Sequence, residues 1–163
     1  MDEGWLEVDE IKDIRVINNR KIKPTDTKIA LRVEHQLMNR VRAVSIGSVS
    51  HAFCLLADYA ISEIKNTGVG ILIKRDNQGC LTYELSERPE KSSNIISVKC
   101  ERKEGAERLL RTTLWSYPGF IEKMKRHTSS YYTIAMMGLV IFALDRLEEK
   151  NKSIINVEVE DNE

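Results

Sequence analysis

The sequence predicts an α+β protein of two similar β-α-β-α-β modules packed on one another as an intramolecular pseudo-dimer. Three observations lead there. Two helix-patterned segments, 48–66 and 129–152, are apolar on most sides and need cover from more than one neighbour. The strand-like segments upstream of them stand at matching distances. Val16 precedes Ser50 by 34 positions, and Val98 precedes Ser130 by 32. Between the halves lies "RPEKSSN" (88–94), a polar, Pro-bearing linker. The expected units are therefore 1–90, a first module with an acidic N-terminal extension, and 91–163, a second, truncated one. A unit of ~70 residues buries too little surface alone, so two copies sharing an interface make physical sense.

Each element follows from local chemistry. "IRVIN" (14–18) reads as a short strand. "PTDTKIALRVEHQLM" (24–38) opens with Pro-Thr-Asp and carries Ile29, Val33 and Leu37 four apart, so a helix is expected. "VRAVSI" (41–46) reads as a strand. In 48–66, Ala52, Phe53, Leu56, Ala57, Ala60 and Ile64 follow the i, i+3, i+4 spacing of a buried face, with Cys54, Leu55, Tyr59 and Ile61 on its flanks. "VGILIKRDNQGCLTYELSE" (69–87) has two β-rich runs around Asp76-Asn77-Gln78-Gly79, which predicts a hairpin.

The second half repeats the pattern. "NIISVKCER" (94–102) is a predicted strand. "EGAERLLRTTLWSY" (104–117) is a predicted helix stopped by Pro118-Gly119. "FIEKMKRH" (120–127) is read as a strand. Residues 129–152 form the second apolar helix, with Ser at its N-cap and about one turn more than the first. "SIINVEVED" (153–161) alternates Ile155, Val157 and Val159, a strand with one polar face. Phe53 and Ile141 are read as interior positions of the two helices.

Composition narrows the class. Hydrophobic residues are 42% and charged residues 31% of 163, the balance of an ordinary globular chain. No apolar N-terminal stretch precedes a cleavage site. The longest near-apolar run, 131–144, falls short of the ~20 residues a membrane span needs, so no membrane partner is expected. Cys54, Cys80 and Cys100 are scattered and odd in number. They suit a reducing, intracellular setting, cytoplasmic, nucleoid or nuclear. Net charge is zero, but its distribution is uneven. Asp2, Glu3, Glu7, Asp9, Glu10 and Asp13 make the start acidic. Arg15, Arg20, Lys21, Lys23, Lys28, Arg32, Arg40 and Arg42 make the next stretch basic, and the tail "INVEVEDNE" is acidic again. Such asymmetry suits a polar partner on one surface.

Residues 14–86 resemble the Alba family of small chromatin and RNA-binding proteins. The stretch that carries the resemblance is "VSIGSVSHAFCLLADYAISEI", with Val44, Ile46, Gly47, Ser48, Ala52, Phe53, Ala57 and Ala60 in the family's pattern of strand, small-residue turn and small-residue helix. The resemblance implies nucleic-acid contact through basic residues after the first strand, here Arg20 and Lys21, and through a basic hairpin, here Lys74 and Arg75. Arg102 and Lys103 stand at the matching place of the second unit, which ends without a fourth strand. A second resemblance is to the ribbon-helix-helix class of DNA-binding regulators, weighed below the first. There "TKIALRVEH" is a strand with Lys28, Ala30 and Arg32 facing out, followed by a helix, a turn at Gly47 and the Ser50 helix. In that class outward strand residues read the major groove as a two-stranded ribbon.

No catalytic chemistry emerges. His35, His51 and His127 share no metal spacing with Cys, Asp or Glu, and no GxSxG, P-loop or GxGxxG motif occurs. Asp58 is the one odd charge, set in an apolar helix. The expectation is a non-enzymatic nucleic-acid-binding protein, RNA or DNA, with no cofactor, no metal and no small-molecule substrate. Lys and Arg would neutralise phosphates and release counterions. The candidates are Arg20, Lys21, Lys23, Lys74, Arg75, Arg102, Lys103, Lys125 and Arg126, with Lys123 beside the last two. Trp115, Tyr131 and Tyr132 are candidates for base stacking. A second copy or a hetero-complex stays open as a partner. So does the third reading, a non-catalytic protein-interaction subunit.

Overall fold

The structure, a computed structural model, describes residues 5–9, 14–18, 23–87, 95–99, 109–128 and 131–156. In chain order they form β1 (Trp5–Asp9), β2 (Val16–Asn18), β3 (Thr27–Glu34), α1 (His35–Val44), β4 (Ser45–Gly47), α2 (Val49–Thr67), β5 (Val69–Arg75) and β6 (Leu81–Glu87). β7 (Ile96–Lys99), β8 (Leu109–Ser116), α3 (Phe120–His127), α4 (Tyr132–Lys150) and β9 (Lys152–Asn156) follow. The chain is α+β. Its strands fall in three sheets of order β1-β9-β2-β4, β3-β8 and β6-β5-β7. Among the described residues no helix is long and apolar enough to cross a membrane.

The apolar helices α2 and α4 pack against each other, and strands from all three sheets cover their remaining sides. That cover accounts for a helix wetted on so thin a stripe. Every residue of α2 from His51 to Ile61 is buried, and so is every residue of α4 from Ala135 to Val140. Both helices have 19 residues, so the extra turn expected of the second is absent. Ser48 caps α2 by accepting the His51 N–H at 3.3 Å. The N-cap of α4 is Tyr131 rather than a serine; it has a left-handed backbone, φ 52°, and makes no side-chain cap bond. Both helices also end on a left-handed residue, Gly68 (φ 71°) and Asn151 (φ 54°), the two residue types that adopt it most readily.

Four expectations change. Residues 27–34 are a strand, not the start of a helix. Ile29, Leu31 and Val33 alternate with exposed Lys28, Ala30 and Arg32, and the inward face is buried. Residues 109–116 are also a strand, where the sequence predicts a helix. β3 and β8 satisfy each other's backbone in an eight-pair antiparallel ladder from Thr27↔Ser116 to Glu34↔Leu109. Residues 120–127 are helical, because Phe120, Met124 and His127 fall on one buried face at i, i+4, i+7. The strand read at 41–46 shrinks to Ser45–Gly47, since α1 runs on to Val44 and buries Val41.

The sheet registers repeat, with the central residues Val16 and Ile96 80 apart and their neighbours 83 apart. Val16 lies between Ser45 and Ile154, each in parallel register. Ile96 lies in the same way between Thr128 and Ile71. The two flanking positions each step by 83, from 45 to 128 and from 71 to 154. Ala30 and Thr113 are 83 apart too, and they are paired with each other across β3 and β8. The strand after each apolar helix thus leaves its own half: β5 pairs with β7, and β9 pairs with β2. β1, which the sequence places in an acidic extension, runs antiparallel to β9 with Glu7 opposite Ile154. β6 runs antiparallel to β5 with Leu85 opposite Ile71. The N-terminal strand therefore takes the place beside β9 that β6 takes beside β5.

Gly138 marks a close approach of α4 to β5. A Cβ there would fall within contact distance of three side-chain carbons of Ile73, which is itself fully buried. Gly138→Ala should therefore destabilise the chain by ~1–3 kcal/mol despite alanine's better helix propensity. Adding Ile73→Val, which removes the nearest carbon, Cδ1, should recover part of the loss. Thermal melts of the single and double variants test this; an unchanged melt for Gly138→Ala would contradict the approach.

Candidate nucleic-acid interface

The β3–β8 pair is built to have one dry face and one wet face. Ile29, Leu31, Val33, Leu114 and Ser116 are buried on the inner side. On the outer side Lys28, Ala30 and Arg32 of β3 and Arg111 and Thr113 of β8 are exposed, and Trp115 is half-buried. The register sets Arg32 directly opposite Arg111, Ala30 opposite Thr113 and Lys28 opposite Trp115. The Lys28 ammonium sits 4.9 Å from the Trp115 ring centroid, within cation–π reach. Among the described residues neither Arg32 nor Arg111 has an ion pair. Like charges directly opposite across an antiparallel ladder are mutually destabilising. The only carboxylate in the two strands, Glu34, is engaged elsewhere, accepting the Leu81 N–H at 2.7 Å.

The residues singled out from the sequence stand in several places. Arg20, Lys21, Arg102 and Lys103 lie outside the described residues. Lys23 is exposed in the turn before β3, and its backbone N–H donates to Asp26 Oδ2 at 3.0 Å. Lys125 and Arg126 are exposed in the last turn of α3, with the Lys125 ammonium 5.2 Å from the Tyr132 ring centroid. Lys74 is paired with Glu84 across the hairpin. Arg75 donates from Nη1 to the Gly79 carbonyl at 2.9 Å, closing its own turn. Of the three aromatics, Tyr131 is 63% exposed, while Trp115 and Tyr132 are half-buried under lysines. Arg111 and Thr113 escape the sequence reading, although "LLRTTLWS" alternates Leu110, Thr112 and Leu114 with Arg111, Thr113 and Trp115 at period two.

Several polar groups inside the molecule pair with one another. Asp58 binds Lys123 Nζ at 2.9 Å and accepts the Tyr117 hydroxyl at 2.7 Å. Its partners thus come from α3 and the turn before it. Burial pushes its carboxyl above the usual range, against the pull of Lys123 and Tyr117. Tyr59 donates to Glu63 at 2.8 Å and to Glu7 at 2.9 Å, and Lys150 binds both carboxylates. Burial alone would raise the Glu63 carboxyl; Lys150, Tyr59 and Arg146 hold it below its ordinary value. This cluster fastens β1 to α2 and α4. His51 Nε2 lies 3.1 Å from Asp26 Oδ2, with both side chains buried, and ties the turn before β3 to the first turn of α2. Among the described residues no group of three or more His, Cys, Asp or Glu is arranged to hold a metal.

No family model, curated protein or solved structure matches this chain.

Proposed function

We propose that this chain is a DNA-binding protein made of two fused copies of one β-β-α-β-α-β unit, and that it lays the outer face of β3–β8 in the major groove of a duplex. The observation that carries this reading is the exposed Arg32–Arg111 pair of a two-stranded ribbon, for which the described residues supply no ion pair. A polyanion supplies the charge that this face lacks. Two strands about 4.8 Å apart fit a B-form major groove about 12 Å wide. The deep, narrow major groove of an RNA helix does not admit them. That contrast favours DNA over double-stranded RNA.

The repeat supports the same reading. A step of 83 relates the neighbours of Val16 to those of Ile96, and the same step makes Ala30 and Thr113 equivalent as well as paired. An approximate two-fold axis through that pair would run down the middle of the ribbon and into the groove. Lys23, Lys125 and Arg126 are exposed cations available for phosphates. The hairpin contacts implied by the Alba resemblance have weaker support, because Lys74 and Arg75 already have partners of their own. Zero net charge fits a local contact, with a salt slope of ~0.9 per phosphate engaged.

The test is titration of labelled duplex DNA and single-stranded RNA at two salt concentrations with the wild type, Arg32→Ala/Arg111→Ala and Lys74→Ala/Arg75→Ala. Wild type should prefer the duplex. The arginine variant should bind roughly thirty- to ten-thousandfold more weakly, as each of its two base-reading arginines is worth ~1–3 kcal/mol. It should melt at or slightly above the wild-type temperature, since a like-charge cross-strand pair is gone. The hairpin variant should bind nearly as well as wild type; a larger loss there would move the interface to the hairpin. A wild type that binds neither nucleic acid would leave the surface to a protein partner, as an interaction subunit.

A further inference from the structure

The two strands of the ribbon are equivalent in register but not in chemistry. Position by position, Lys28 corresponds to Arg111, Ala30 to Thr113 and Arg32 to Trp115, each 83 apart. Because the strands are antiparallel, these differences collect at opposite ends. One end holds two guanidiniums facing each other, Arg32 and Arg111. The other holds Lys28 over the half-buried ring of Trp115. A ribbon of two identical strands would offer both half-sites the same side chains and so select a palindrome, as two-fold symmetric dimers do. This ribbon offers one end ten N–H donors in two planar forks and the other an ammonium and an apolar ring.

Resting on the reading of this face as a DNA reader, we propose that the chain recognises a non-palindromic duplex site, with guanine under the Arg32–Arg111 end and no matching guanine under the Lys28–Trp115 end. Arginine donates two parallel hydrogen bonds to guanine O6 and N7, the commonest specific contact in the major groove. Trp115 carries a single donor, its indole N–H, and its ring is covered by Lys28. It cannot make that pair of bonds, and the Lys28 ammonium, which lacks arginine's planar fork, is held over its ring. At the centre, Ala30 presents a methyl and Thr113 a hydroxyl, so the middle base pair is also met differently from its two sides.

The experiment is selection of bound duplexes from a randomised pool by the full chain, followed by sequencing. The expected consensus is asymmetric, with guanine at one end. Arg32→Ala should reduce the preference for that consensus over its guanine-substituted form by roughly ten- to a hundredfold, with little change in melting, as the side chain is exposed. Trp115→Arg, which puts a guanidinium at both ends, should shift the consensus toward a palindrome with guanine at both ends. Retention of the pool with a palindromic wild-type consensus, or with no enrichment, would overturn the asymmetric reading and leave DNA binding standing. Failure to retain the pool at all would overturn both. A Trp115→Arg consensus as asymmetric as the wild type's would show that the asymmetry comes from elsewhere.

Discussion

A chain carrying Phe53→Asp should not fold. Phe53 lies in the middle of α2 with none of its surface exposed. Truncating such a ring costs ~3–5 kcal/mol, and a carboxylate in the same place adds several more because nothing there can pair with it. The sum is comparable to the whole stability of an ordinary domain, ~5–15 kcal/mol. The same helix carries Asp58 five positions on, and the comparison explains why that one is tolerated. Asp58 has Lys123 at 2.9 Å and the Tyr117 hydroxyl at 2.7 Å, whereas Phe53 is surrounded by core. Ile141→Asp should behave differently from what the apolar run in the sequence implies. Ile141 is only half-buried on α4, so its variant should fold with a lowered melting temperature. Circular dichroism and size-exclusion chromatography separate these outcomes. A soluble Phe53→Asp chain with a cooperative melt near that of the wild type would contradict the burial of α2.

How much of this was readable from the sequence depends on the range of the forces involved. α2 and α4 were legible because 19-residue apolar segments leave little alternative to a helix, and the β5–β6 hairpin because its turn chemistry is local. β3 was misread because Ile29, Val33 and Leu37 stand four apart, a spacing that suits both a helical face and every second strand position. Leu31 decides the case, since only a strand buries 29, 31 and 33 together. β8 was misread for a different reason. Its ladder partner lies about eighty positions away, and no local signal reports a pairing at that distance. The same blindness hid β1, whose strand depends on β9 at the far end of the described chain. Missing β8 meant missing Arg111, and with it the opposed arginines. The basic residues of the hairpin were visible, but their neutralisation was not. Whether Lys74 meets Glu84 depends on the hairpin register, which pairs position 74 with 82 and 72 with 84, so that the two charges stand diagonally on one face.

Gly47→Ala should lower the melting temperature by roughly 10 °C while leaving the proposed DNA binding intact below the transition. Gly47 ends β4 with φ 96°, a conformation that costs other residues ~1–3 kcal/mol. An added Cβ would also overlap the carbonyl oxygen of Asn18, its own ladder partner in β2. No rotamer relieves a collision with backbone, so β2 and β4 must separate, at a further ~1–3 kcal/mol. For a chain of this length each kcal/mol moves the melting temperature by about 2–4 °C. Gly119→Ala is the matched control. Its φ is 92°, nearly the same strain, but nothing lies within 4 Å of the Cβ it would gain. The difference between the two variants therefore isolates the close approach of β4 to β2 from backbone strain. Equal melting temperatures would mean that the parallel β2–β4 pairing does not hold Gly47 against Asn18. Since β4 belongs to a different sheet from the β3–β8 ribbon, a folded Gly47→Ala chain that lost the proposed DNA binding would move the proposed surface beyond the ribbon, toward the start of α2.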